Sequence, residues 1–364
     1  MYGVFTGHVM VSFIYDQGYE QLIAVARYLD PMFIPFFAIL TGAFFSRGNT
    51  GFRNFAWLKF GQRMFPVYFY LLLIIPFYFM FPLPGRTAMD SLIYAPLYLF
   101  GIPWLSWTSW FLVALFTAEL MYYFIQPHAQ KNRLRLVLLA VVFYSLAWLY
   151  NHYKLAAPPL LMATSMFWML HASLLFCAYF LVGALLRPHI LAMARWSWQR
   201  VLLSGGAAAL VCWLGISRNS FAAPAADNAF LHDVFSGDMI VTAIGQYGHY
   251  LWFMLSALGA PLAFLCACRL LPVNRLMRAC GDHSLVLLGL NGVFLNVLNI
   301  RLTGFFIPPG GSLAGLLLYS MLIALVSMAI CLPIAKILEK YLPQLTGRPM
   351  LKGPLLPALY RKPH

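Results

Sequence analysis

Few ionisable side chains stand inside the apolar stretches of this chain: His8, Glu119, His171 and the pair Asp282–His283. Each calls for a reason, because a charged group at the centre of a membrane helix costs at least about 2.5–3.5 kcal/mol. His8, in TGHVMVSF, has the type for proton transfer, since a neutral imidazole takes a proton from a hydroxyl and returns it to a leaving group. A histidine bonded to a neighbouring helix is the equally simple reading. Glu119, in ALFTAELMYY, has the chemistry to orient a histidine, bind a polar substrate, pair with an arginine or serve only as a structural partner. His171, in WMLHASLL, reads as a hydrogen-bonded core residue. A separate feature is basic: Arg47, Arg53, Lys59 and Arg63 fall in one short stretch, with Lys59 and Arg63 four residues apart on one helix face. That face suits an anionic ligand such as a nucleotide phosphate, and it equally suits a topological anchor.

The elements that position these residues follow from composition. Of 364 residues 62% are hydrophobic and 9% charged, at a mean hydropathy of +0.78. Soluble domains carry about 25% charged residues, so most of this chain is expected to lie in lipid. Apolar segments fall at 1–15, 29–46, 63–83, 104–125, 134–151, 160–186, 200–217, 240–268, 283–307 and 312–338. If both ends face the cytoplasm, the inner connections and the tail hold nineteen Lys and Arg, and the outer ones five: Arg27, Arg86, Lys154, Arg218 and Arg301. Seven of the acids, from Asp16 to Asp238, lie outside. The bias keeps its phase along the whole chain, as the positive-inside rule requires. The fold class is therefore all-α, a polytopic integral membrane protein of about ten transmembrane helices with both termini cytoplasmic.

The net charge of +14 belongs to this topology, and no nucleic-acid partner is expected. The six cysteines lie in or beside apolar runs without ligand spacing, so no metal site is expected. The start, MYGVFTGHVMVSFIYD, lacks the basic region and cleavage site of a signal peptide and reads as a membrane helix. Its apolar part would span only about 21 Å, short of a core about 30 Å thick. Either this helix is short or the true start lies upstream of Met1, and the second is the expectation. The outer loop 218–239 is expected at the surface, and the basic, Pro-rich residues 339–364 are expected to lie along the anionic inner leaflet.

Five motifs, in order, resemble the membrane-bound acyltransferase 3 family. PMFIPFFAILTGAFFSR (31–47) is similar to its second-helix signature, and KFGQRMFPVYFY to its basic Arg-x-x-Pro-x-Tyr turn, filled by Arg63, Pro66 and Tyr68. SWTSWFLVALF supplies the Trp-Phe-Leu of Trp110, Phe111 and Leu112; YFLVGALLR (179–187) and GDHSLVLLGLN (281–291) follow. The resemblance implies an acyltransferase domain over residues 1–338, followed by the tail. It implies transfer of an acetyl group from cytoplasmic acetyl-CoA to a sugar hydroxyl of a surface polysaccharide or exopolysaccharide, on a polyprenyl-linked repeat unit, in the bacterial inner membrane. His8 would be catalytic, as general base for the acceptor hydroxyl or as carrier of the acetyl group itself, with Glu119 orienting His8 or the acceptor; Arg63, Lys59, Arg47 and Tyr68 would hold acyl-CoA, and Trp110, Asn291 and Ser284 would line the acceptor pocket. Acetyl-CoA enters as donor substrate, and no bound cofactor is expected. Partners would be the acceptor, the bilayer and a polysaccharide assembly machinery.

Two departures from the family pattern stand out. An arginine expected about three turns before the histidine would fall upstream of Met1. Asn291 stands where a histidine is common, and an amide does not shuttle a proton at neutral pH. A transporter or flippase of lipid-linked sugars is the alternative, although the internal repeats and paired broken helices of such proteins are not seen. A non-enzymatic partner in polysaccharide assembly is a third reading.

Overall fold

The computed structural model describes residues 1–48, 51–80, 89, 95–103, 107–155, 166–220, 240–294, 302–303 and 312–360. Single turns aside, eleven helices are formed among the described residues: α1 (Tyr2–Gln17), α2 (Leu29–Ala43), α3 (Phe52–Met80), α4 (Trp110–Ala129), α5 (Arg133–Leu155), α6 (Leu170–Ala192), α7 (Trp198–Arg218), α8 (Tyr250–Leu270), α9 (Arg275–Asp282), α10 (Ser284–Phe294) and α11 (Leu313–Tyr341). No strand occurs among those residues; a lone antiparallel bridge joins Val241 and Gln246.

Among the described residues seven spans, on α2, α3, α5, α6, α7, α8 and α11, are long and apolar enough to cross a membrane. The other three apolar segments of the sequence correspond to α4 and to the shorter apolar helices α1 and α10. The surface has the polarity of a lipid-facing protein. Leu138, Val141, Leu146 and Leu149 of α5, Leu203, Leu210 and Trp213 of α7, and Leu318, Leu322 and Val326 of α11 are all exposed. Ser256, Asn291, Ser320 and Ser327 are fully buried. Apolar surface on this scale is tolerated when lipid, not water, covers it. The chain is an all-α, polytopic integral membrane protein.

The helices divide into two compact units. The first comprises residues 1–22, 49–116 and 274–364; the second comprises 23–48 and 117–273. In the second unit α2 and α6 cross at two glycines from the sequence motifs. A Cβ on Gly42 would lie 2.2 Å from the Phe180 Cα, and one on Gly183 would lie 2.0 Å from the Ile39 carbonyl oxygen. Small residues let helix backbones meet this closely in a membrane, where dispersion rather than water exclusion drives association. Phe45, Tyr122 and Phe180 close the crossing with edge-on ring contacts.

The same unit contains a departure from the sequence expectation. The apolar segment beginning at 240 is not helical until Tyr250; residues 240–247 form a completely buried loop. Its backbone polar groups find side-chain partners on the surrounding helices. Asp30 accepts from the Thr242 N–H (2.7 Å), the His171 Nε2–H donates to the Ala243 carbonyl (2.8 Å), and Trp148 donates to that of Gly248 (3.0 Å). Asn219 donates to the Tyr247 carbonyl and accepts from the His249 N–H. Irregular backbone at membrane depth survives only where protein answers it. His171 is thus a bonded core histidine, and Asp30 holds the loop. Residues 221–239, which include most of the expected outer loop, lie outside the described residues.

In the first unit the chain after α11 does not trail away. Residues 342–360 turn back, with Leu359 and Tyr360 N–H groups donating to the Pro349 carbonyl and the Gly353 N–H to that of Leu356. Arg348 pairs with Glu339 (2.9 Å) and donates to the Asp282 carbonyl (3.1 Å), while His283 Nδ1 stands 3.0 Å from the same Glu339 carboxylate. Pro349 seats on Gly61, and Gly347, at a φ of 95° that favours glycine, sits against the Gln62 carbonyl. Glu339 is nearly buried, so removing its charge leaves Arg348 without its anchor. Replacement of Glu339 by Gln is expected to accelerate tryptic cleavage after Lys352 several-fold in detergent-solubilised protein, read as the rate of appearance of the shortened chain.

Candidate functional site

His8 lies midway along α1, an apolar helix closed by a left-handed Gly18 (φ 73°). The N–H groups of Gly18 and Tyr19 return to the Ile14 and Phe13 carbonyls, and the Tyr19 ring meets Phe13 edge-on. This is a Schellman-type end with its hydrophobic contact, so the helix terminates at a fixed place. Phe5 and Val9 on either side of His8 are fully buried, whereas His8 itself is only partly so. Its Nδ1 is hydrogen-bonded to Oδ1 of Asn291, on α10, across 283 residues of sequence. An imidazole in an apolar helix thus meets an amide from the far end of the chain.

Asn291 is held in turn by the packing of α10. A Cβ on Gly289 would lie 2.0 Å from the ring of Tyr70 of α3, so Tyr70 fills the space that glycine leaves. The Tyr70 hydroxyl donates to the Val286 carbonyl (3.4 Å) and that of Thr108 to the Leu288 carbonyl (3.5 Å). Two hydroxyls and one ring therefore fix both the rotation and the height of α10. Asn291 is fully buried, and its Nδ2 has no hydrogen-bond partner among the described residues. An unanswered buried amide donor costs about 1–3 kcal/mol, a cost that packing gives no reason to bear, since leucine occupies the adjacent position 290.

The remaining sequence candidates fall into both units. Lys59, Arg63 and Tyr68 share α3 with Tyr70 in the first unit. Lys59 and Arg63 are both partly exposed, with Lys59 Nζ 5.5 Å from the Phe55 ring centre. The Tyr68 hydroxyl donates to the Tyr98 carbonyl (3.5 Å). Gly61 and Gln62, which receive the folded tail, lie between Lys59 and Arg63 in sequence. Ser284, partly exposed, opens α10 seven residues before Asn291, two helical turns along the same side. Trp110 is buried at the start of α4, edge-on to Phe111. Arg47 and Glu119 belong to the second unit: Arg47 is exposed, its guanidinium 4.1 Å from the Tyr123 ring centre, and Glu119 is buried in α4.

The structure thus brings His8 and Asn291 into direct contact and places Lys59, Arg63 and Tyr68 on one helix, α3, with only Lys59 and Arg63 on a common face. Sequence reasoning did not find Tyr70, Thr108 and Gly289 as supports, nor the cluster of Glu339, Arg348 and His283. The local signals for them were a glycine inside an apolar helix, a lone glutamate at a helix end and His283, which the sequence singles out without its partners. Chemically, a partly accessible imidazole with an ordered ring is equipped to accept and return one proton. The basic side chains of α3 are equipped to bind an anion.

Residues 1–336 match the family described as an acyltransferase domain, Acyl_transf_3. No curated protein and no solved structure matches the chain.

The fit of Tyr70 into the Gly289 notch has a direct test. Gly289→Ala is expected to lower unfolding stability in detergent by about 1–3 kcal/mol through overpacking. Adding Tyr70→Leu to that variant should recover about 1 kcal/mol relative to additive behaviour, measured by a double-mutant cycle of thermal unfolding.

Proposed function

The chain belongs to the Acyl_transf_3 family of acyltransferase domains, and from that premise we propose that it is an O-acetyltransferase of the bacterial inner membrane. It is a membrane acyltransferase; the proposal adds the donor, the acceptor and the residues. The donor is cytoplasmic acetyl-CoA, and the acceptor is a sugar hydroxyl of a surface polysaccharide or exopolysaccharide, carried as a lipid-linked repeat unit. The observation that carries this reading is the His8–Asn291 pair: an imidazole, ordered but not sealed, in the first helix of a chain from an acyl-transferring family.

In this mechanism the acceptor hydroxyl gives its proton to His8 as its oxygen attacks the thioester carbonyl. The tetrahedral intermediate collapses with cleavage of the C–S bond. The imidazolium then returns the proton to the departing CoA thiolate, so His8 ends unchanged. Base and acid are one residue, which requires an imidazole that meets both the acceptor oxygen and the sulfur. Lys59 and Arg63 supply positive charge for the CoA phosphates, with Arg63 suited to two parallel hydrogen bonds. Tyr68, Trp110 and Ser284 belong to the same proposal as pocket residues. Arg47 and Glu119 enter it through their sequence positions.

The orientation follows from the distribution of basic residues. Nineteen of the 24 Lys and Arg lie on the side assigned to the cytoplasm, with Lys59 and Arg63 among them. The binding face for acetyl-CoA then stands on the side where acetyl-CoA is present. Polysaccharide assembly enzymes on that membrane are the expected neighbours.

Membranes or purified protein given radiolabelled acetyl-CoA and lipid-linked oligosaccharide should form acetylated product. His8→Ala, at unchanged protein level, is expected to lower the rate by about 10²–10⁴-fold, the contribution of general acid–base catalysis. Arg63→Ala should chiefly raise KM for acetyl-CoA. Undiminished transfer by the His8 variant would remove the mechanism.

A further inference from the structure

A neutral imidazole carries one proton on either of two nitrogens, and only the other nitrogen is a base. Which one carries it is set by the hydrogen bond that the ring makes. Here the Nδ1 side of His8 faces the side-chain oxygen of Asn291, an acceptor without a proton to give. We propose that Asn291 is a positioning residue that holds the proton on Nδ1, so that the lone pair of Nε2 points away from α10 as the base for the acceptor hydroxyl.

Three observations support this. Asn291 is fully buried, so water does not compete for its oxygen. The Tyr70–Gly289 contact and the hydroxyls of Tyr70 and Thr108 fix α10, so the amide has a defined place from which to act. Among the described residues the amide nitrogen of Asn291 is buried with no partner, which a residue kept for packing would avoid. The position also accounts for a residue that does not itself move protons. What the ring needs from behind is an acceptor, and a neutral amide supplies one without placing a charge beside an apolar helix.

The proposal deepens the acyl-transfer reading and rests on it for the catalytic consequence; the proton position is measurable without it. The full-length protein, labelled with ring-¹⁵N histidine and held in lipid nanodiscs, carries nine histidines, and His8→Gln identifies the His8 signals by subtraction. The expected spectrum has a protonated Nδ1 and an unprotonated Nε2. Asn291→Leu should lose that tautomer and lower kcat by about 10²–10⁴-fold, on the scale that a wrong tautomer costs in the serine-protease triad. Asn291→Asp, nearly isosteric and still an acceptor, should keep the proton on Nδ1 and retain more activity than the leucine variant. It also serves if that variant does not fold.

A proton on Nε2 in the wild-type protein, as the opposite amide orientation would enforce, overturns the assignment. So does an Asn291→Leu variant with the wild-type tautomer and turnover. A wild-type protein with Nδ1 protonated but no acetyl transfer to any sugar acceptor would count against the acyl-transfer reading and leave the role of Asn291 in place.

Discussion

Hydrocarbon offers no partner to an N–H, a C=O or an imidazole, so a polar group of this chain that enters it costs free energy unless another part of the chain answers it. The described interior follows from that constraint. Leucine, valine and tryptophan face outward on α5, α7 and α11, while serine, asparagine and histidine lie inside, among them His171, bonded to the Ala243 carbonyl, and Asn291, bonded to His8. The loop at 240–249 exists because Asp30, Trp148, His171 and Asn219 take up its backbone groups. The same constraint makes His8 informative. In an apolar helix it needs a partner, and the partner chosen leaves one of its nitrogens for chemistry.

Much of the fold was legible in the sequence because hydropathy and the placement of lysine and arginine are one-dimensional signals. Among the described residues, seven of the ten apolar segments read from composition overlap helices long and apolar enough to cross a membrane, and the other three overlap α1, α4 and α10. What escaped was structure that depends on contacts distant in sequence. The run from 240 is apolar enough to pass for helix; only the positions of Asn219 and Asp30 reveal why it is a loop. The tail looked like a basic, Pro-rich extension bound for the leaflet, because nothing local says that Glu339 waits for Arg348 or that Gly61 makes room for Pro349.

The site was legible to a similar extent. His8 and Asn291 were both singled out as residue types, one as a base and one as an oddity in its motif, but no periodicity connects residues 283 positions apart. The motif glycines were read as signatures. Their physical content is space: Gly42 and Gly183 let α2 and α6 touch, and Gly289 admits the Tyr70 ring. A family pattern in a membrane enzyme therefore mixes residues that meet substrate with residues whose absent side chain sets the distance between helices. Geometry separates the two kinds.

The order of synthesis gives these contacts a time axis. Asp30, Trp148, His171 and Asn219 all precede the loop they hold, so that loop finds its partners waiting as it leaves the ribosome. His8 is in the opposite position, among the first residues made and dependent on one of the last helices. At about 5–20 residues per second, the 283 residues between them take about 15–60 s to produce. Throughout that interval α1 carries an imidazole whose native partner has not yet been translated. The His8–Asn291 contact is thus completed late, with α11 and the folded tail still to come, and a chain cut short before α10 would lack it.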